Sequence, residues 1–260
     1  MLPSDLRPLK IEEKNLIRIG PKIDGGYVID KRVIQYIETI ISCGLNDNWD
    51  FEKHFLKFKP NINIIAYDHT VNSSFWLQRF AKDILHFFLL KKLRLRKIVS
   101  IFKFFEYKFF FRGNRIHYKL KVGNDENKDK EITINKIFNN KQNVLLKIDI
   151  EYDEYKILES IIENSKKINC LLIEFHGIAK NIEKIRNFIK DNKLLKLIHI
   201  HGNNYFGLDK DGLPGALELT FVNIAKININ SEKNTYFYPM NGIDYPNVKR
   251  HKDVKLTFTD

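Results

Sequence analysis

Seven short runs of apolar, mostly β-branched residues constrain the fold more than any other feature of the sequence. They cover residues 37–43 (IETIISC), 62–67 (INIIAY), 115–122 (RIHYKLKV), 144–150 (VLLKIDI), 169–175 (NCLLIEF), 195–201 (LKLIHIH) and 217–223 (LELTFVN). Between them, helical spacing of apolar positions marks residues 51–58, 153–165 and 181–192. Strands alternating with helices in this way imply right-handed βαβ crossovers and a parallel sheet covered on both faces. The last two runs lack a helix between them. Residues 202–216 are turn-rich instead, so the sheet is expected to end in an antiparallel pair. With no internal repeat, the pattern predicts one α/β domain over residues 1–260, with residues 1–30 as an N-terminal extension.

At 43% apolar residues the chain can fill a core, which excludes a wholly disordered protein. Its formal charge of +12 favours an anionic partner without identifying one. Lys, Ile and Asn are abundant and Ala is scarce, so part of the lysine excess is background composition. No helix-turn-helix, zinc-finger or RNP pattern accompanies the charge, and no nucleic-acid partner is expected. The two cysteines, Cys43 and Cys170, lie inside apolar runs and build no disulfide framework. No signal-peptide pattern opens the sequence, and charges interrupt every long apolar stretch. The sequence therefore predicts a cytoplasmic protein.

One segment breaks the rhythm. Residues 81–112 hold nine Lys/Arg against two acidic residues, with clustered aromatics, where an α/β domain needs only a short helix and loop. One reading is a basic amphipathic arm that rests on a membrane surface, leaving the protein peripheral to the inner membrane, or closes as a substrate lid. The other is an inserted helical pair whose Phe face packs on the domain or on a second subunit of a homo-oligomer.

Ligands of an open α/β sheet bind beyond the carboxyl ends of its strands. After the first run comes Ser42-Cys-Gly44-Leu-Asn46-Asp47-Asn-Trp49, where Gly44 permits a tight turn and close backbone approach. The three glycines of a dinucleotide fingerprint are absent. Asp68 ends the second run, placed either to accept hydrogen bonds from ribose hydroxyls or to cap the next helix. In the fourth run Lys147, Asp149 and Glu151 share one face of an otherwise apolar strand. Polar groups there are costly unless they meet a ligand, an ion or each other. Asp153 and Glu154 read as ordinary openers of the following helix. Glu174 with His176, and His199 with His201 ahead of Asn203 and Asn204, repeat the pattern at two later strand exits. Converging Asp, Glu and His side chains can bind a divalent cation or serve as acid and base.

These residues resemble the FkbM-like family of S-adenosylmethionine-dependent O-methyltransferases. Lys147-Ile-Asp149-Ile-Glu151 followed by Glu154 and Leu158 looks like that family's K-x-D-I-E-G-x-E-x-x-x-L signature, with Tyr152 standing where the family usually has Gly. The resemblance extends over Ile19-Gly20, Asp24-Gly-Gly26-Tyr27, the Ser42–Phe51 turn with Glu52, Tyr67-Asp68-His69, Ile173–His176, His199–Asn204 and Leu217-Glu-Leu219. It implies a Rossmann-like class I methyltransferase sheet of seven strands, the last antiparallel, plus the basic helical insertion. It also implies S-adenosylmethionine bound by Gly44, Asn46, Asp47, Asp68 and His69, with Gly26 and Tyr27 nearby and Asn124 and Asp125 near the adenine. Related sugar O-methyltransferases commonly use a divalent cation, making Asp149, Glu174 and His176 the ligand candidates for Mg or Mn.

In methyl transfer the sulfonium donor is already electrophilic, so the protein must hold an acceptor hydroxyl in line and take its proton. Asp149 or His201 is the expected base, with Lys147 beside them. Glu151, Tyr152, Asn203 and Asn204 are expected to hold the acceptor. The resemblance points to a sugar hydroxyl of a nucleotide-linked sugar or of a capsular or other surface-polysaccharide precursor. The competing readings are another nucleotide-sugar-modifying transferase, and a non-catalytic membrane or scaffold protein that keeps the fold.

Overall fold

The computed structural model describes residues 1–89, 99–125 and 129–259. Its strands β1 (Leu16–Ile19) and β2 (Tyr27–Asp30) pair as an antiparallel hairpin. β3 (Thr39–Cys43), α1 (Asp50–Phe55), β4 (Asn63–Tyr67), α2 (Ser73–Leu89), α3 (Val99–Phe110) and β5 (Arg115–Tyr118) follow. Next come β6 (Lys121–Gly123), β7 (Glu131–Thr133), α4 (Ile134–Ile137), β8 (Val144–Ile148) and α5 (Leu158–Glu163). β9 (Ile168–His176), α6 (Ile178–Asp191), β10 (Leu195–Gly202) and β11 (Ala216–Asn223) complete the order.

Seven strands form one sheet in the order β10-β11-β9-β8-β3-β4-β5. Neighbours from β9 to β5 are parallel, whereas β11 runs antiparallel to both β9 and β10. The parallel sheet with an antiparallel pair at one end is what the run pattern predicts, and the Rossmann-like order with an antiparallel final strand is what the resemblance implies. Chain order proceeds outward from β3 on one side and from β8 on the other, so the switch point lies between them. Every residue of β3, β8 and β9 is buried, as expected of Ile- and Leu-rich strands covered on both faces. On α6, Ile178, Ile182, Ile185, Phe188 and Ile189 recur at helical spacing and make one apolar stripe. The Phe188 ring packs against Phe175 and Phe221 of the sheet, with centroids 6.4 and 5.5 Å away. Its burial contributes about 1.5–3 kcal/mol.

Four expectations change in detail. The run at 115–122 divides: β5 ends where the Tyr118 carbonyl accepts the Asp68 N–H (3.1 Å), and β6 leaves to pair in parallel with β7. The run at 144–150 stops as a strand at Ile148, because Glu151 and Tyr152 adopt φ of +51° and +73° and turn the chain. A left-handed φ at Tyr152 is the conformation glycine adopts at least cost. The predicted helix at 153–165 is a 3₁₀ turn (Glu154–Lys156) followed by α5, because Glu154 is drawn into the interior. Residues 1–30 are more than an extension. Their hairpin lies on the sheet, with Thr220 Oγ1 donating to the Val28 carbonyl at 2.7 Å.

The basic insertion at 81–112 takes in the second half of α2 and all of α3, and its residues 90–98 lie outside the described residues. The inner faces of these helices pack on the domain. Trp49, at the start of α1, meets Tyr107, Phe110 and Phe111, while Trp76 meets Phe104 and Tyr107. Among the described residues no helix is long and apolar enough to cross a membrane.

Candidate functional site

A cleft of about 860 Å³ opens at the carboxyl ends of β3, β4, β8 and β9, with the β1–β2 turn over it. Its floor depends on Gly44, whose φ is +87° and whose N–H donates to the Tyr67 carbonyl (2.9 Å). The Asp149 N–H donates to the Cys43 carbonyl at 2.8 Å, so the β3 and β8 exits lie in contact. A Cβ on Gly44 would sit 1.7 Å from the Asp149 carbonyl oxygen. Of the proposed cofactor-binding residues, Gly44, Asn46, Asp47, Asp68, His69 and Tyr27 line the cleft.

Asp68 does more than line it. Its Oδ2 accepts the Leu45 and Asn46 N–H groups (2.9 and 2.8 Å), and its Oδ1 accepts the Thr70 N–H and hydroxyl (2.7 and 2.6 Å). Burial, the largest single influence, opposes the charge, but these donors outweigh it and hold the carboxyl below its ordinary value. Asp68 thus ties the β4 exit to the Gly44 loop. Holding ribose hydroxyls would require one of these bonds to give way.

At the other end of the cleft four carboxylates surround one histidine. His176 Nδ1 lies 2.6 Å from Glu154 Oε1, and a carboxylate only accepts, so Nδ1 donates. Its Nε2 faces Asp149 (3.9 Å), Glu151 (3.7 Å) and Glu174 (3.7 Å). Burial pulls the imidazole down, yet Glu154 with Asp149 and Glu151 outweigh it and raise its pKa. Burial pushes the Asp149 carboxyl up to about 6, against the pull of Lys147 and His176. Glu174, directly opposite Glu218 on β11, is raised well above the carboxylate range by burial and by the charges of Asp149 and Glu218. Asn203 Nδ2 donates to it at 2.7 Å. Donor atoms of Asp149, Glu151 and His176 lie within 4.8 Å of one another. Cis donors on one ion with bonds of about 2.1 Å sit about 3 Å apart, so a modest contraction would complete such a set. Glu151 joins this group more readily than Glu174, whose oxygen is engaged by Asn203. A buried carboxylate that orients a histidine, as Glu154 does His176, is the usual outer support of a metal ligand.

Lys147 is buried, with Nζ 3.4 Å from Glu52, which also accepts the Ser42 hydroxyl at 2.5 Å. Burial disfavours the ammonium most, but Glu52 and Asp149 together reverse that and raise its pKa. Lys147 is therefore a fixed cation beside Asp149 and no proton acceptor. The Tyr27 phenol is raised well above its ordinary value, by burial first and then by Asp149, Glu174 and Glu218.

Several expected residues stand elsewhere. His201 does not line the cleft. It is buried between Glu218 (3.1 Å) and Asp253 (3.1 Å), which with Asp244 overcome the desolvation penalty and raise it to about 10. With Glu218 and Asp253 on its two ring nitrogens and no face on the cleft, His201 is not placed as the expected base, and it fastens the C-terminal segment to β10. Asn204 does the same, donating to the Val248 and His251 carbonyls (3.0 and 3.1 Å) and accepting the Val248 N–H (2.8 Å). Tyr152 projects outward, its ring 5.5 Å from that of His176. Gly26 packs on Pro21 and Arg18, and neither Asn124 nor Asp125 lines the cleft. Glu154, read from its charge as a helix opener though it also stands in the K-x-D-I-E-G-x-E-x-x-x-L resemblance, is fully buried on His176. Asp24, Tyr205, Phe206 and Asn247 also line the cleft, brought from turns that carry no strand-end signature.

The raised His201 pKa has a measurable consequence. Above its ordinary value near 6.5 the folded state keeps a proton that the unfolded state releases, so this contribution is full below 6.5 and lost as pH rises toward 10. Between pH 6.5 and about 8, below the ordinary values of thiols and phenols, the loss amounts to on the order of 2 kcal/mol. Denaturant unfolding across that window should show a steeper loss for the natural chain than for His201→Asn. Equal slopes would remove the assignment.

No family model matches the chain, and no curated protein matches it. Solved structures similar to it include the fibrillarin/Nop5p complex (12% identity, 72% of this chain and 73% of that one, TM-score 0.37). The precorrin-6y C5,15-methyltransferase of Geobacter metallireducens is similar at 8% identity, over 83% of this chain and 98% of that one, with a TM-score of 0.35. A protein described as an rRNA methylase from Clostridium thermocellum is similar at 9% identity, over 78% and 93%, with a TM-score of 0.39.

Proposed function

We propose that the chain transfers a methyl group from S-adenosylmethionine to a hydroxyl of a sugar, within a nucleotide-linked sugar or a surface-polysaccharide precursor. The observation that carries this reading is the single cleft joining the Gly44 turn at the switch point to Asp149, a carboxyl pushed up to about 6. The Gly44 loop, with Asn46, Asp47 and His69, receives the donor, and the Asp149 end receives the acceptor. Carboxylates and Asn203 there offer hydrogen bonds to a polyhydroxylated ring, and Tyr205 and Phe206 at the rim offer apolar faces for it to lie on.

The acceptor oxygen attacks the methyl carbon in line. The O–C bond forms, the C–S bond breaks with its electron pair returning to sulfur, and the hydroxyl proton passes to the Asp149 carboxylate. Lys147 keeps a positive charge beside Asp149, and Glu154 holds the His176 ring. Asp149, Glu151 and His176 are the residues that would hold a divalent cation, whose Lewis acidity lowers the pKa of an oxygen bound to it. An imidazole in the set favours Mn over Mg.

Calorimetric titration with S-adenosylmethionine and its demethylated product, with and without Mn, tests the reading. Micromolar binding is expected, followed by methyl transfer to nucleotide sugars in an activity screen. Absence of heat and of any thermal shift would overturn it.

A further inference from the structure

We propose that the outer face of the α2–α3 pair is a docking surface for an anionic lipid bilayer. α3 carries two aromatic stripes. The inner one, with Phe104, Tyr107 and Phe110, covers Trp49 and Trp76. The outer one is not needed for that packing. At about 100° per residue, Ile101, Phe102, Phe105, Lys108 and Phe109 fall within about a third of the helix circumference. Phe102, Phe105 and Phe109 are 70%, 54% and 61% exposed. On α2, Leu77, Ile84 and Leu85 are exposed at helical spacing. An apolar cavity of about 370 Å³ between the helices is lined by Trp76, Phe80, Phe104 and Tyr107, with the exposed Leu77 and Ile101 at its edge. It offers a place for one acyl chain.

Charge decides what covers this face. Among the described residues of this pair, Arg79, Lys82, Lys103, Lys108 and Arg112 stand against only two acidic residues, Asp83 and Glu106. Both acids are already engaged: Asp83 accepts the Ser100 N–H at 2.9 Å, and Glu106 binds Lys53. Lys82, Lys108, Arg112 and Lys119 are exposed with no acidic partner among the described residues. The Arg112 guanidinium lies 4.5 Å over the Phe109 ring, an aromatic and a cation side by side as interfacial segments carry them. A second copy of the chain, docked face to face, would oppose like charges with no carboxylate to meet them. A polyanion such as RNA would leave the aliphatic residues of α2 uncovered. An anionic bilayer satisfies both kinds of residue, with cations at the headgroups and Phe and Leu side chains below them.

The test uses the full chain with phosphatidylcholine vesicles, with and without about a third phosphatidylglycerol, followed by co-sedimentation. Binding to the anionic vesicles should exceed binding to the neutral ones at least tenfold. Brominated acyl chains should quench the fluorescence of Trp76. Phe102→Ser/Phe105→Ser/Phe109→Ser should lower binding at least tenfold, and Lys108→Glu/Arg112→Glu by about thirtyfold, both with unchanged thermal stability. No sedimentation with anionic vesicles, equal binding by natural chain and variants, or a lipid-free dimer broken by the same substitutions would each overturn the proposal. The surface stands independently of methyl transfer, and cofactor titration of the same samples separates the two.

Discussion

Gly44→Ala is expected to weaken S-adenosylmethionine binding at least a hundredfold and to destabilise the chain by about 2–4 kcal/mol. Two effects combine at this position. A φ of +87° is strained for any residue with a side chain, and the new methyl would lie 1.7 Å from the Asp149 carbonyl oxygen, backbone that cannot rotate away. Relief requires the β3 exit to separate from the β8 exit, which disturbs the Leu45 and Asn46 N–H groups held by Asp68. Gly113→Ala is the matched control. Its φ is +64°, but nothing lies within 4 Å of the added methyl, so it should cost about 1 kcal/mol and leave cofactor affinity unchanged. Titration calorimetry and denaturant unfolding of both variants give the comparison. Gly44→Ala binding within threefold of the natural chain would remove the Gly44 turn from the donor site.

The difference between those two glycines shows what the sequence could and could not convey. Gly44 follows an apolar run and precedes a polar turn, so its position at a strand exit is readable from the chain alone. That it touches Asp149, over a hundred residues away, follows only from the β3–β8 pairing. The same holds across the site. Lys147, Asp149, Glu174 and His176 announce themselves because a polar residue inside an apolar run demands a partner. The identity of the partner is a tertiary matter: Glu52 reaches Lys147 from α1, and Glu154 reaches His176 from a 3₁₀ turn. His201 shows the opposite error. It carries the same strand-exit signature as His176, but Glu218 on β11 and Asp253 from the C-terminal segment occupy its two ring nitrogens away from the cleft. That segment has almost no regular pattern, so neither periodicity nor turn chemistry foretold where it would lie.

The insertion was legible in composition and illegible in arrangement. Charge and aromatic content set it apart, and the sequence offered packing on the domain and contact with a surface as alternatives. α3 meets both descriptions because its aromatics are too numerous for one stripe. Tyr107 and Phe110 are buried beside Trp49 while Phe105 and Phe109 remain exposed.

Asp149→Asn is expected to lower kcat by about 10²–10⁴ while leaving S-adenosylmethionine affinity within threefold and the thermal midpoint nearly unchanged. Asparagine is isosteric with aspartate and keeps the backbone N–H bond to Cys43, so the β3–β8 contact survives. It removes the negative charge that Lys147 and His176 both face, and it removes the proton acceptor at the cleft. Because burial already disfavours that charge, its loss should cost little stability, which separates this variant from Gly44→Ala. Residual activity should climb with pH as hydroxide replaces the missing base. Glu154→Gln provides a second reading of the same cluster. It leaves Asp149 in place but withdraws the charge that holds the His176 ring, so it should weaken Mn binding by about 10–100-fold with a smaller effect on turnover without metal. His201→Asn, outside the cleft, should alter stability and leave kcat within twofold. A fully active Asp149→Asn would remove both the base and the cation-holding role at once. Full loss of activity with lost cofactor binding would place Asp149 on the donor side of the cleft instead, because only an acceptor-side base can fail while the donor still binds.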